Sequence, residues 1–334
     1  MPEFRQNLAT KEWVIVAWER AKRPHDFQKD SELPKELPPL REDCPFCPGN
    51  ESKTPPAVFS ISARNVSDWS VRVVPNKFAA LNPNLSTKRE QRGKFLRADG
   101  FGIAEVIIET PLHNLTIATM DAEQIQKILR AYKQRYLEVA QSKNINLITI
   151  FRNFGVRAGT SLEHPHSQLI ATPIIPPHVR DPFQQAMYYY DSQGSCVYCD
   201  MVNEELEQKE RIVLESKHFV AACPFASRTP FETRIWPKRH TPAYGQISEA
   251  EVADLAYVLK TVLAKIRIGL NAPHYNYVIR SAPIGDEDTR YLHWYMVIIP
   301  KITTPAGFEI GTGIYINVVP PEQAAKYLRE VEVK

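Results

Sequence analysis

The sequence predicts an α+β fold in which a mostly antiparallel sheet with one principal helix is built twice in succession. A motif recurs along the chain: Cys44-Pro-Phe-Cys47, His113 and His164 in the first half, then Cys196-Val-Tyr-Cys199, His240 and His293 in the second. The paired histidines stand 51 and 53 residues apart (113 to 164, 240 to 293). Between them each half carries one helical segment and then a strand-like run. The other ordered segments are short and rich in β-branched and aromatic residues, which suits an antiparallel sheet. With 334 residues, 43% hydrophobic and 24% charged, the chain can fill two such units and is neither disordered nor fibrous.

Strands are expected at 13–17, 69–74, 103–109, 146–151 and 168–172 in the first copy. Those of the second are expected at 219–223, 233–236, 275–279 and 294–299. One helix starts at Asp121, with Gln124 as its capping-box partner and Ile125, Ile128, Leu129, Tyr132, Tyr136 and Leu137 at helical spacing. Its counterpart starts at Ser248, capped with Glu251, and carries Val252, Leu255, Leu259, Val262, Leu263 and Ile266. The Pro-rich stretch 33–40 and the basic stretch 86–97 read as surface loops. A boundary between copies is expected at 182–194, dividing the chain into a catalytic repeat, 1–181, and a second repeat, 182–334.

Lys and Arg number 41 against 38 Asp and Glu, a net charge of +3, which argues against a nucleic-acid partner. No apolar run approaches the ~20 residues of a membrane span. The opening MPEFRQNLATKEW lacks an apolar signal core, so a cytoplasmic location is expected. Four of five cysteines sit in CxxC pairs, which in a reducing compartment favours metal over disulfides.

Two zinc sites are therefore expected, Cys44, Cys47, His113 and His164 in one, Cys196, Cys199, His240 and His293 in the other. With four protein ligands each is structural, not water-activating. A thiol-redox pair shares the CxxC spacing and is the competing reading. The copies differ after the second histidine: His164-Pro-His166-Ser-Gln168 against His293-Trp-Tyr295. In a strand, residues i and i+2 share a face. His166 would then stand beside a metal-anchored neighbour without being needed as a ligand, unless it is a further ligand or an ordinary core histidine. A neutral imidazole so placed suits nucleophilic attack on phosphorus. Gln168 on the same face could hydrogen-bond a phosphate oxygen. The segment 153–161, with Gly155 and Gly159, could wrap phosphate with backbone amides.

The pieces NLATKEWVIVAWERAKRP, CPFCPGNE, VRVVPNKFAAL, FRNFGVRAGTSLEHPHSQ and GFEIGTGIYIN, in this order across nearly the whole chain, resemble the galactose-1-phosphate uridylyltransferase family of the histidine-triad superfamily. The resemblance implies two fused histidine-triad-like repeats, and a homodimer with active sites near the subunit interface. It also implies ping-pong nucleotidyl transfer through a covalent nucleotidyl-histidine. It makes His166 the nucleophile and Gln168 its phosphate-orienting partner. Ser161, Asn153 and Asn76 become phosphate and nucleotide contacts, Arg20 and Arg23 basic residues reaching nucleotide or sugar phosphate, and Glu309 a hexose contact. Without the family match, Arg20, Arg23 and Glu309 read as solvated surface charges.

Leu162 and Glu163 stand where bacterial uridylyltransferases often have Asn-Pro, and Tyr315 where they carry a sugar-contacting glutamine. The second Cys-Cys-His-His set and the GFEIGTGIYIN tail are more similar to ADP-glucose phosphorylases. The expected reaction is UDP-glucose plus galactose 1-phosphate to glucose 1-phosphate plus UDP-galactose. ADP-glucose with inorganic phosphate is the runner-up, a histidine-triad hydrolase a lesser one. A zinc-stabilised binding module without turnover is the rival from another class, and the difference between His166 and Tyr295 speaks against it.

Overall fold

The computed structural model describes residues 1–18, 37–63 and 68–333. Arg20, Arg23 and part of the Pro-rich stretch lie outside them. A short sheet opens the chain: β1 (Glu3–Gln6) pairs antiparallel with β2 (Trp13–Val16), and β15 (Tyr315–Asn317) adds parallel to β2 from the far end of the chain.

The first copy supplies β3 (Phe59–Ser62), β4 (Trp69–Pro75), β7 (Ile103–Ile108), α1 (Ala122–Ala140), β8 (Leu147–Phe154) and β9 (His166–Thr172). Between β4 and β7 the chain forms a separate exposed hairpin, β5 (Arg89–Arg92) and β6 (Phe95–Ala98). This corrects the loop expected there. The second copy supplies β10 (Ile212–Glu215), β11 (Phe219–Ala222), β12 (Thr233–Pro237), α4 (Glu249–Gly269), β13 (Tyr275–Arg280) and β14 (Tyr295–Pro300). Two helices connect the copies, α2 (Pro177–Gln193) and α3 (Val197–Gln208), and α5 (Gly307–Thr312) and α6 (Pro321–Glu330) flank β15. The stretch 182–194, where a boundary between copies is expected, falls on α2 and its C-cap Gly194.

Both copies join in one ten-stranded antiparallel sheet, ordered β10-β11-β12-β14-β13-β8-β9-β7-β4-β3. Counted outward from the β8–β13 seam, each half repeats the same order, its fourth strand innermost and its fifth beside it. The internal repeat read in the motifs is therefore a repeat of topology.

The helices α1 and α4 cover one face. The α4 start is as expected, with Ser248 and Glu251 closing a capping box. At α1 the Asp121 side chain accepts from Gln124 N at 2.7 Å, but the Gln124 side chain does not complete the box and donates instead to the Ser70 and Glu109 carbonyls. Their apolar stripes, Ile125 to Val139 and Val252 to Ile266, bury against Val71, Ile107, Ile148, Leu169, Tyr277 and Met296 in one continuous core. The opposite face of the sheet carries the functional residues.

Candidate active site and metal centres

Cys44, Cys47, His113 and His164 are buried and converge. Cys47 Sγ lies 3.6 Å from Nδ1 of His113 and of His164, Cys44 Sγ 3.7 Å from His164 Nδ1, and the two Nδ1 atoms 3.3 Å apart. A tetrahedron with ~2.3 Å Zn–S and ~2.05 Å Zn–N bonds has edges of about 3.6 Å between S and N and about 3.3 Å between nitrogens. The donor set therefore fits zinc. His164 Nε2 donates to the Thr110 carbonyl at 2.8 Å, which fixes the tautomer that leaves Nδ1 as ligand. Burial pushes the Cys47 thiol up to about 11 and the His164 imidazole down to about 3. A divalent cation supplies the positive charge that lets such a buried thiol ionise.

The second set repeats the arrangement nearer the surface. Cys199 Sγ lies 3.3 Å from His240 Nδ1 and 3.4 Å from His293 Nδ1, with His240 exposed and Cys196 and His293 buried. The Nε2 atoms of His240 and His293 donate to the carbonyls of Thr289 (3.2 Å) and Pro237 (3.0 Å). Here the CxxC opens α3, with Cys196 as N-cap, whereas Cys44 and Cys47 lie on turns. The two Cys2His2 clusters can each hold a metal ion.

His166 belongs to neither cluster. It opens β9, opposite Ile108 of β7, and its Nδ1 lies 2.8 Å from the His164 carbonyl oxygen. A carbonyl only accepts, so Nδ1 carries the proton and Nε2 keeps its lone pair. Burial, with Arg152 adding to it, holds the imidazole below its ordinary range, so the ring is neutral at pH 7. Phe46, between the cysteines of the first CxxC, sets its ring edge-on to His166 at 5.4 Å and to His164 at 6.0 Å. The metal-binding turn thus also braces the candidate nucleophile.

Gln168 shares the His166 face, opposite Phe151 of β8 and Val106 of β7, and its amide makes no hydrogen bond among the described residues. Asn153, at the end of β8, accepts on Oδ1 from Asn276 Nδ2 at 2.8 Å, which leaves its own amide N–H groups free to face a ligand. Asn276 also donates to the Ala158 carbonyl at 2.8 Å and so ties the following loop to the second copy. Gly155 and Gly159 of that loop have φ of +83° and +90°. A Cβ on Gly155 would meet His274 at 2.1 Å, so only glycine fits there. Ser161 is exposed on the same loop.

Asn76 follows β4, two strands from β9 and on the same face, but its Oδ1 accepts from Phe78 N in its own turn. Glu309 is not gathered with these residues. It is half-buried and caps α5 by accepting from Ala306 N at 3.0 Å, and backbone amides of Glu309 itself and Ala306 hold its carboxyl below the ordinary range.

Sequence reasoning missed three supports. Phe46 and Asn276 touch the site directly. Behind His166, on the helix face, the Tyr132 hydroxyl lies 2.7 Å from Ser167 Oγ, 2.6 Å from Tyr277 Oη and 3.2 Å from Glu109 Oε1. Glu109 in turn pairs with the fully buried Arg152. The net spans α1, β8, β9 and β13. Its one sequence signal is polar residues at core-facing strand positions.

Residues 1–176 match the family described as galactose-1-phosphate uridyl transferase, N-terminal domain, and residues 117–331 match a domain of unknown function, DUF4921. The chain is 39% identical to ADP-glucose phosphorylase of Arabidopsis thaliana, over 99% of this chain and 93% of that one. It is 31% identical to galactose-1-phosphate uridylyltransferase of Thermotoga maritima, over 100% of both. A crystal structure of an ADP-glucose phosphorylase from Arabidopsis thaliana with bound ADP-glucose superposes with a TM-score of 0.85 at 37% identity, covering 100% of both chains. On sequence and fold together, the chain belongs to the galactose-1-phosphate uridylyltransferase family of nucleotidyltransferases.

Proposed function

We propose that this chain moves a nucleoside monophosphate between phosphate-bearing partners through a covalent nucleotidyl-His166. The observation that carries this is the division of labour between two neighbouring histidines. His164 spends Nδ1 in a four-donor metal set, while His166 stands outside it with Nδ1 tied to a carbonyl and Nε2 free. In the first half-reaction Nε2 attacks the α-phosphorus of UDP-glucose. An N–P bond forms, and the bond from that phosphorus to the glucose 1-phosphate oxygen breaks. In the second, a phosphate oxygen of galactose 1-phosphate attacks the same phosphorus, UDP-galactose leaves, and His166 regains its lone pair. The Nδ1–H···O=C bond holds the ring as positive charge develops, and Gln168 and Asn153 donate to the non-bridging oxygens. A metal held by the first set would, through His164, anchor the start of the strand that carries His166 and Gln168.

A second reading within the same chemistry is ADP-glucose phosphorolysis, with inorganic phosphate as acceptor. The 39% identity to ADP-glucose phosphorylase and the likeness to the ADP-glucose complex favour it. Because Glu309 lies away from His166 in the single chain, we assign its hexose contact to a homodimer in which one copy's α5 reaches the other's site. We assign the protein to a reducing compartment such as the cytoplasm, where the four thiols of the Cys2His2 sets stay available to metal.

The test is the intact mass of zinc-replete protein after incubation with UDP-glucose or ADP-glucose and desalting. A UMP-sized increment supports the first substrate, an AMP-sized one the second. Its loss in His166→Ala at unchanged zinc content supports the assignment. No increment with either sugar nucleotide favours a binding module without turnover.

A further inference from the structure

The second copy has its own version of the His166 position, and that position faces a cavity. The pairing of β8 with β9 matches Phe151 to Gln168; continued by two residues it sets Asn153 against His166. In the second copy the same register sets Arg280 against Tyr295. Tyr295 therefore replaces the nucleophile and Arg280 the asparagine. One strand to the other side, Arg234 on β12 pairs with Val297, two residues on from Tyr295 and on the same face. A cavity of about 110 Å³, covered by the first two turns of α2, is lined by Arg234, Arg280, Tyr198 and Tyr295. That is room for several waters or one phosphoryl group with its ester oxygen.

The charges around this cavity do not cancel. Arg228 is spent on Glu12, and Arg234 gives Nε and Nη2 to Glu232 Oε1 at 3.1 and 3.0 Å. Arg234 is only 7% exposed, yet its Nη1 has no hydrogen-bond partner. Arg280 makes no hydrogen bond or ion pair among the described residues, which leaves one positive charge uncompensated beside an unsatisfied guanidinium N–H. His178, in the first turn of α2, also lines the space, where the helix dipole favours an anion. A carboxylate is satisfied by one guanidinium fork, whereas two guanidinium groups flanking one point suit the three oxygens of a phosphomonoester.

We propose that this cavity is a second, non-catalytic site for a phosphomonoester dianion, with Arg280 as its principal contact and Arg234 as the wall behind it. The assignment rests on the cations of the second copy, not on what His166 does.

The experiment is equilibrium dialysis of labelled inorganic phosphate and, separately, labelled glucose 1-phosphate against zinc-replete protein, with labelled acetate as the control anion. The wild-type chain should bind one more phosphate-bearing equivalent than Arg280→Met or Arg280→Glu. Failing full loss, that site should weaken by about tenfold or more. Arg280→Lys should restore part of the binding. Formation of the nucleotidyl adduct should be unchanged in all three variants, which separates this site from the first. Phosphate over glucose 1-phosphate would mark the free ion as the ligand, and the reverse order a sugar phosphate. Equal stoichiometry and affinity in wild type and Arg280→Met, or binding of acetate as tight as that of phosphate, would overturn the proposal.

Discussion

Two neighbouring histidines do different work because the backbone gives their nitrogens different partners. His164 donates through Nε2 and offers Nδ1 to the metal set; His166 donates through Nδ1 and keeps Nε2. The HPHSQ pattern singled out both histidines, but the i and i+2 rule of a strand holds for His166 and Gln168 and does not reach His164, which precedes the strand. His166 is the first residue of β9, and His164 lies just before it, so the metal ligands end where the strand begins. Asn276 and Phe46 were not legible, because their roles depend on contacts across the copies and across a turn that no local period records. Asn276→Asp tests the first of these. Its carboxylate cannot donate to Asn153 Oδ1, so Asn153 must turn its amide away from the substrate. The rate of adduct formation should fall by ~10- to 100-fold, one lost charge-assisted hydrogen bond, with zinc content unchanged. Rapid-quench measurement of the first half-reaction reads it, and an unchanged rate would remove Asn153 from the phosphate contacts.

At the scale of elements, helices with strong caps were readable and segments whose signals conflict were not. Both α1 and α4 begin at the residue their capping pattern names. The stretch expected as the boundary between copies falls largely within α2, where Pro177 sits in the first turn at no cost in hydrogen bonds and Pro182 lies inside the helix. The β5–β6 hairpin has four exposed residues on each strand, so no hydrophobic alternation betrays it. Its turn falls at Gly93, φ +62°.

The α4 cap also carries a pH dependence. Burial alone would raise the Glu251 carboxyl, but hydrogen bonds from Arg239 (3.0 and 3.1 Å) and Ser248 N (2.8 Å) prevail and hold it below the ordinary range. A lowered folded-state value means stability present above the unfolded value of ~4.3 and lost as pH falls through the folded one. Glu251→Gln should therefore cost about 1–2 kcal/mol at pH 7 by chemical denaturation, and the difference should shrink below about pH 4. A pH-independent difference would contradict the pairing. The metal sets differ in the same element-level way. Because His240 is exposed while the first cluster is buried throughout, a chelator should withdraw one zinc per chain well before the other, and Cys196→Ser should remove that faster phase. Metal release followed by a colorimetric chelator decides it; two equal phases would mean the sets are equally guarded.

Across the whole molecule, the seam between β8 and β13 makes the two copies one sheet. Five residue pairs from Tyr275–Phe154 to Ile279–Ile150 join them, and Tyr132 and Tyr277 meet beneath. The repeat was visible in sequence because each copy keeps its metal ligands at matching intervals. Their fusion into one sheet was not, since pairing between copies depends on edges that no motif marks. A shared sheet and a single core predict one cooperative unfolding transition in calorimetry, with residues 1–181 alone failing to fold because α1 and β8 would lose the α4 and β13 residues they pack against. Two separate transitions would mean the copies are independent. Transfer by this route requires a phosphorus–nitrogen bond at one ring. Trapping wild-type protein with a sugar nucleotide, digesting it under mildly alkaline conditions and sequencing the labelled peptide by mass spectrometry locates that bond. The nucleotide should sit on His166 while both metal sets stay filled; a label on any other residue, or metal bound by His166 itself, would rule out His166 as the nucleophile.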